Sequence, residues 1–390
     1  MAPGCRLCVT VPAKDEADYI GDTLAALYAQ VDDLGQPIDH DCYEVIVLAN
    51  NCRDATAAVA RRFGRAHPSF RLHVIARALP PAIAHVGTVR RLMMDAAARR
   101  LPAEGIICTT DADTLVDMRW VHATLRAFDR GALAVGGRIV VPAGNRAAAY
   151  RKIYLQDVTY RSLQALLESI VDPCTTDPWP RHFQHYGPST AVRVDAYLAC
   201  GGMPPIRCIE DVELARALER IDVRFVHDPT VKVYTSDRRS QRIEGVGFSH
   251  ALDEWGAMLR EDRQPRVGGL QRCLQLFKWK VALRQAYHTG GTVKLPALQS
   301  LLEFLSIPRE ELELRIAGAA TFGSLYVDIR GLVESKHEFS DATFEQAIRD
   351  LRRFTRSARC ARTIPFASTR RAGTGRHAAG PPDRSPAVAH

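Results

Sequence analysis

Up to about residue 140, short apolar runs alternate with segments whose apolar residues recur every three or four positions. The runs at 6–11, 43–49, 70–76 and 105–110 are bounded and rich in β-branched residues, the pattern of strands buried on both faces. Between them, residues 16–30 set Ile20, Leu24, Leu27 and Tyr28 at helical spacing. Residues 54–67, 88–100 and 120–128 read as further helices, and 132–141 as a strand broken at Gly136-Gly137. Alternation of this kind predicts a mainly parallel α/β sheet with helices on both faces.

The rhythm then changes. A long helical stretch covers 146–170, and a loop over 172–186 follows, dense in Pro, Asp, Trp and His and long for a connection. Residues 189–194 return to strand, Gly201-Gly202 marks a turn, and a helix starts at Asp211. Two short strands at 223–226 and 231–235 are expected, then helices from about 241 to 354 with breaks near 265–269, 289–292 and 307–308. Beyond Ser357 few large apolar residues stand among Arg, Gly, Pro, Ser and Ala, so this segment cannot bury a core and is expected to be disordered. The expected division is a sheet domain over 1–240, a helical region over 241–356 and a basic tail over 357–390.

Composition changes this picture at one point. The 390 residues are 46% hydrophobic and 25% charged, ordinary for a soluble globular protein, with a net charge of +8. That surplus suggests nucleic acid until it is located. From Arg352 onward there are nine Arg and one Asp, which leaves 43 basic and 43 acidic groups before them. The body is neutral, and no nucleic-acid partner is expected for it. Ten cysteines include one CxxC pair, Cys5 and Cys8, with no second pair at metal-site spacing; free thiols and a reduced, cytoplasmic setting are expected. Lys14, Asp15 and Glu16 come too early for a signal peptide, and no apolar stretch reaches membrane-spanning length, which leaves peripheral membrane contact at most.

The candidate chemistry begins at Asp111-Ala112-Asp113, directly after the fourth apolar run. Ligands of open α/β sheets sit beyond the carboxyl ends of the strands. Two carboxylates there suit a hard divalent cation, which takes one or two carboxylates plus substrate phosphates. An acidic pair after a strand is also a common turn or cap. The same holds for Glu210-Asp211, since carboxylates favour a helix start through the helix dipole. The neighbouring motifs decide between these readings.

Those motifs resemble family 2 glycosyltransferases. Val9-Thr10-Val11-Pro12-Ala13-Lys14-Asp15-Glu16 is similar to the family's opening strand and its Pro-x-x-Asn-Glu turn, with Asp15 in place of Asn. Asn50-Asn51-Cys52-Arg53-Asp54-Ala55-Thr56 resembles the Asp-x-x-Ser-x-Asp-x-Thr turn, and Gly87-Thr88-Val89-Arg90-Arg91 the Gly-and-Arg helix start. Asp111-Ala112-Asp113 matches the DXD motif. Gly201-Gly202-Met203 followed by Glu210-Asp211-Val212-Glu213-Leu214 resembles Gly-Gly-Phe … Glu-Asp-x-x-Leu. The blocks stand in order over about residues 6–240.

The resemblance implies a GT-A-like (Rossmann-like) fold and a UDP-, GDP- or dTDP-sugar donor with Mg2+ or Mn2+. Asp113 would hold the metal, and Asp111 would contact the ribose or, through water, the metal. Pro12, Ala13, Glu16, Asn50 and Asp54 would meet base and ribose, with Arg90 on the base or the phosphates. Arg238 would grip diphosphate oxygens through its guanidinium fork. Tyr234 or Thr235 stands near the place of a His metal ligand found in many relatives. Asp211 would be the general base of an inverting transfer and Glu210 its orienting neighbour. Trp179, His185, Gly201 and Gly202 would contact the acceptor, the aromatic loop around His182, His185 and Tyr186 acting as a lid. Gln241-Arg242-Ile243 does not match the Gln-x-x-Arg-Trp of processive relatives.

Two other enzyme classes lose support at the first turn. Pro12-Ala13-Lys14-Asp15 lacks the glycine-rich loop of nucleotidyltransferases, and no G-x-G-x-x-G follows the first strand as a dinucleotide-dependent oxidoreductase would require. A non-catalytic nucleotide-sugar-binding module remains as the rival of a different kind.

Overall fold

The computed structural model describes residues 4–142, 148–235, 254–258, 261, 263–291, 293–336 and 341–363. Arg238, Gln241 and the chain beyond Thr363 lie outside the described residues.

The sheet domain runs β1 (Leu7–Ala13), α1 (Ile20–Tyr28), β2 (Tyr43–Asn50), α2 (Thr56–Ala66), β3 (Leu72–Arg77), α3 (Val86–Arg100) and β4 (Ile106–Thr109). It continues through β5 (Thr114–Val116), α4 (Trp120–Asp129), β6 (Ala134–Val140), α5 (Ala148–Val171), β7 (Thr190–Arg193), α6 (Val194–Ala199), α7 (Glu210–Arg220) and β8 (Phe225–Thr235). The eight strands form one mixed, mainly parallel sheet in the order β3-β2-β1-β4-β7-β6-β8-β5. β3, β2, β1 and β4 are parallel, and β7 enters antiparallel between β4 and β6. Pro12 is tolerated inside a central strand because β1 pairs with β4 only as far as Thr10 opposite Thr109.

Each face buries its own core. Leu24, Leu27, Val45, Val121 and Trp120 lie in one, under α1, α2 and α4. Met93, Met94, Ile107, Tyr197 and Leu214 lie in the other, under α3, α6 and α7. The runs of β1, β2 and β4 are continuous because these strands are covered on both sides. β3, at the sheet edge, is part-buried to exposed, which corrects the expectation for 70–76.

One further sequence expectation is corrected, and two short elements are added. The two short strands expected at 223–226 and 231–235 are one strand, β8, whose pairing with β6 shifts register between Gly137 and Arg138. That shift is the break anticipated at Gly136-Gly137. A side chain at Gly137 would place its Cβ 1.9 Å from Ser189 Oγ, so glycine lets the 184–189 segment lie directly on the strand. β5 and α6, at three and six residues, were too short for periodicity to show.

The C-terminal part is helical as expected: α8 (Leu270–His288), α9 (Pro296–Leu305), α10 (Arg309–Gly318), α11 (Phe322–Ser335) and α12 (Phe344–Thr363), with one small ribbon of β9 (Arg266–Val267) and β10 (Ala342–Thr343). α12 runs seven residues past the expected start of the tail, because Leu351 and Thr355 are buried and carry the helix onward. One core joins α8 to α11 around Trp279, Leu302 and Phe322; another joins α5, α8 and α12 around Ile153, Leu167 and Leu351. Among the described residues no helix is long and apolar enough to cross a membrane.

Candidate functional site

The carboxyl ends of β1, β2 and β4 face one edge of the parallel half of the sheet, and the Asp111–Asp113 turn lies there. It leaves β4 and leads straight into β5, which pairs with the end of β8 at Thr114 opposite Thr235. Thr114 Oγ1 donates to Thr235 Oγ1 at 3.0 Å. The turn therefore brings the centre of the sheet and its far edge to one place, with Thr235 beside the acidic pair. The turn is pinned from α1 as well, where Thr23 Oγ1 donates to the Ala112 carbonyl at 2.8 Å.

Arg90 connects this turn to the start of α7. It is only 3% exposed, and each guanidinium nitrogen has a protein partner. Nη2 donates to Asp111 Oδ1 at 2.5 Å, Nε to Glu210 Oε1 at 3.1 Å and Nη1 to the Gly187 carbonyl at 3.3 Å. Burial raises the pKa of Asp111 and of Glu210, and the Arg90 charge opposes both rises. These bonds use three of the five guanidinium N–H groups, so the Arg90 contact with base or phosphates expected from sequence would fall to the second N–H of Nη1 or Nη2.

Gly187 is the second junction. Its carbonyl also accepts from Thr109 Oγ1 at 2.6 Å, and its N–H donates to Asp211 Oδ2 at 2.8 Å. Asp211 Oδ1 accepts from the Val212 N–H at 2.8 Å. A strand end, an arginine and the α7 carboxylates thus meet through one backbone unit. Sequence reasoning missed Gly187; its signal was the Gly187-Pro188 turn pair directly before a strand.

Residues 8–179 match the model of the glycosyl transferase family 2. This part of the chain belongs to that family. Among curated proteins none matches the chain. Similar solved structures include mannosyltransferase PcManGT from Pyrobaculum calidifontis in complex with GDP-Man and Mn2+, at 17% identity over 84% of this chain and 87% of that one, TM-score 0.42. S. aureus TarS 1–349 in complex with UDP-GlcNAc is 14% identical over 85% and 92%, TM-score 0.45. M. tuberculosis glucosyl-3-phosphoglycerate synthase is 16% identical over 68% and 84%, TM-score 0.35.

Within the family 2 domain, the two turns after β1 and β2 are bound to each other. Asp15 and Asn51 take left-handed backbone angles, φ 55° and 52°. Asp15 Oδ1 accepts from the Arg53 N–H at 2.6 Å, and Asp54 Oδ2 from the Ala17 N–H at 2.9 Å. At these turns Pro12 is half-buried, and Ala13, Glu16 and Asn50 are buried. Among the described residues, the three ligand-type side chains that lie within reach of one another are Asp15, Cys52 and Asp54 in this turn, not a set around Asp111 and Asp113. The Asp15 and Asp54 carboxylates are already engaged by backbone N–H groups.

The loop after α5 turns inward, which corrects the expected lid at its histidines. Asp177 Oδ1 accepts from the His227 N–H and Oδ2 faces His227 Nδ1, each at 2.8 Å. An acceptor-only carboxylate places the His227 proton on Nδ1, so Nε2 accepts from His185 Nδ1 at 3.2 Å. His185 stacks on Phe225 with ring centroids 5.0 Å apart. Burial, reinforced by His227, pushes His182 and His185 down to about 3. Burial would raise Asp177, but the His227 hydrogen bonds and Arg181 hold it at about 2. Trp179 stays 38% exposed. Gly201 and Gly202 form a turn at φ 87° and 79°, conformations that favour glycine. Arg91 and Tyr197, both bonded to Asp95, hold this turn against α3.

Proposed function

We propose that the protein is an inverting glycosyltransferase that moves a sugar from a nucleoside-diphosphate sugar to an acceptor hydroxyl with the help of Mg2+ or Mn2+. The observation that carries this reading is the junction at Arg90 and Gly187, which couples the Asp111–Asp113 turn to Glu210-Asp211. The acidic pair offers hard carboxylate oxygens at strand ends, the donor set such a cation takes. One Asp111 oxygen is committed to Arg90, so Asp113 is the direct holder and Asp111 acts through its other oxygen on ribose or a bound water. A bound divalent cation supplies charge stabilisation to the departing diphosphate.

The remaining steps belong to the chain's own groups. Each Asp211 oxygen accepts one N–H and keeps a lone pair for an acceptor proton. As Asp211 takes that proton, the acceptor oxygen bonds to the anomeric carbon from the face opposite the breaking bond to the diphosphate oxygen. Glu210, tied to Arg90, orients its neighbour. Pro12, Ala13, Glu16, Asn50 and Asp54 shape the cleft for base and ribose, Arg238 grips diphosphate oxygens, and Trp179, Gly201 and Gly202 face the acceptor. His185 serves by holding the segment that ends at Gly187. The location that fits a nucleotide-sugar donor is the cytoplasm.

Nucleotide release from UDP-, GDP- and dTDP-sugars, measured with Mg2+ or Mn2+, tests this reading. Release is expected with at least one donor and is lost in Asp113→Ala at an unchanged melting temperature, since Asp113 is not part of either core. Full release in excess EDTA would remove the metal from the proposal, and no release from any donor would leave a binding module.

A further inference from the structure

Away from the sheet edge, α5 and α12 enclose an open groove of about 830 Å³, within the size range of small-ligand sites. On the α12 side, Arg349, Arg352, Arg353 and Arg356 recur at helical i, i+3, i+4 and i+7 spacing and all are exposed. On the α5 side, Lys152, Leu155 and Thr159 form the matching stripe. The opposite face of α12 is buried through Phe344, Ala347 and Leu351, which fixes the arginine face toward the groove. One carboxylate lines it, Glu345, and that one pairs with Lys152 at 3.3 Å. Among the described residues none of the four arginines is ion-paired. Like charges three and four apart weaken a helix, so this face gives up stability that an external anion would restore.

We propose that this groove binds a phosphate-bearing ligand, with the guanidinium forks taking phosphate oxygens and Leu155 and Ile348 meeting an attached apolar or sugar segment. The concave shape suits a discrete anionic group. The groove lining has no aromatic ring on which a base could stack, which argues against single-stranded nucleic acid. The phosphate could be carried by a lipid headgroup or by a soluble ester, and binding assays separate the two. This inference concerns binding alone and stands whether or not sugar transfer is found.

Full-length protein in EDTA is titrated with inorganic pyrophosphate, and separately with phosphatidylcholine vesicles with and without phosphatidylglycerol. Arg349→Ser/Arg353→Ser is expected to weaken binding about tenfold or more, with a melting temperature unchanged or slightly raised because a like-charge pair is removed. Lys152→Gln, on the facing helix, is expected to weaken it too; Arg315→Ser on α10 is the control that should not. Binding to phosphatidylglycerol vesicles alone assigns the lipid source, and binding to pyrophosphate alone the soluble one. Equal binding by wild type and both groove variants overturns the proposal, as does binding of an RNA homopolymer that pyrophosphate cannot displace.

Discussion

Arg90 and Asp211 sit two hydrogen bonds apart, yet their substitutions should fail in different ways. Arg90→Ala would leave Asp111 and Glu210 without their shared counter-charge in a buried setting, a loss of about 3–5 kcal/mol, read as a lower urea midpoint together with lost activity. Asp211→Asn keeps the shape, and its amide oxygen can still accept from Gly187. Fold and donor Kd should therefore stand while transfer kcat falls by about 10²–10⁴. Transfer by Asp211→Asn within about threefold of wild type, well inside that range, would make Glu210 the next base to test. Both residues could be singled out from their motifs. The partnership could not, since 120 positions separate Arg90 from Glu210 and no local spacing encodes it. The family resemblance put Arg90 on the base or the phosphates and gave no sign that it is buried among protein partners.

At the scale of elements, the 172–186 loop shows why composition alone misled. Pro, Trp and His in a long connection suggested a lid, but the histidines pack inward on β8, a strand that arrives some forty residues later. Long apolar strands and helices were legible because period and burial agree over many residues; β5 and α6 were not, being set by their neighbours. The inward packing has a pH consequence. His182 and His185 stay neutral in the folded protein down to about 3, whereas the unfolded chain takes up protons on them below about 6.5. The unfolded state thus binds more protons between those values, and stability is full above about pH 6.5 and drains as pH falls toward 3. Asp177 and Glu168, both held at about 2, add a second loss below about pH 4. Melting temperature followed from pH 7 to 4 should fall less steeply in His182→Leu/His185→Phe. Parallel slopes for the two proteins would show that these rings do not carry the linkage.

Across the whole molecule, the C-terminal helices bear on the same helix that presents Glu210 and Asp211. Thr321 Oγ1 donates to the Arg220 carbonyl at 2.5 Å, the Gly323 N–H to Asp222 Oδ1 at 2.7 Å, and Arg330 pairs with Glu219 at 2.8 Å. The sequence announced a helical appendage; it held no sign of where that appendage docks, because the contact depends on a missing side chain at Gly323. A Cβ there would fall 1.6 Å from the Glu219 carbonyl oxygen. Gly323→Ala must therefore push α11 and the end of α7 apart, a strain of about 1–3 kcal/mol by the usual cost of overpacking. If the appendage sets the position of α7, melting temperature and transfer kcat should fall together. The donor site proposed above is built from β1, β2 and α3, so Kd for the nucleotide sugar should stay near wild type. A lower melting temperature with undiminished kcat would mean that Arg90 and Gly187 alone fix the start of α7, and that the appendage serves the fold without reaching the chemistry.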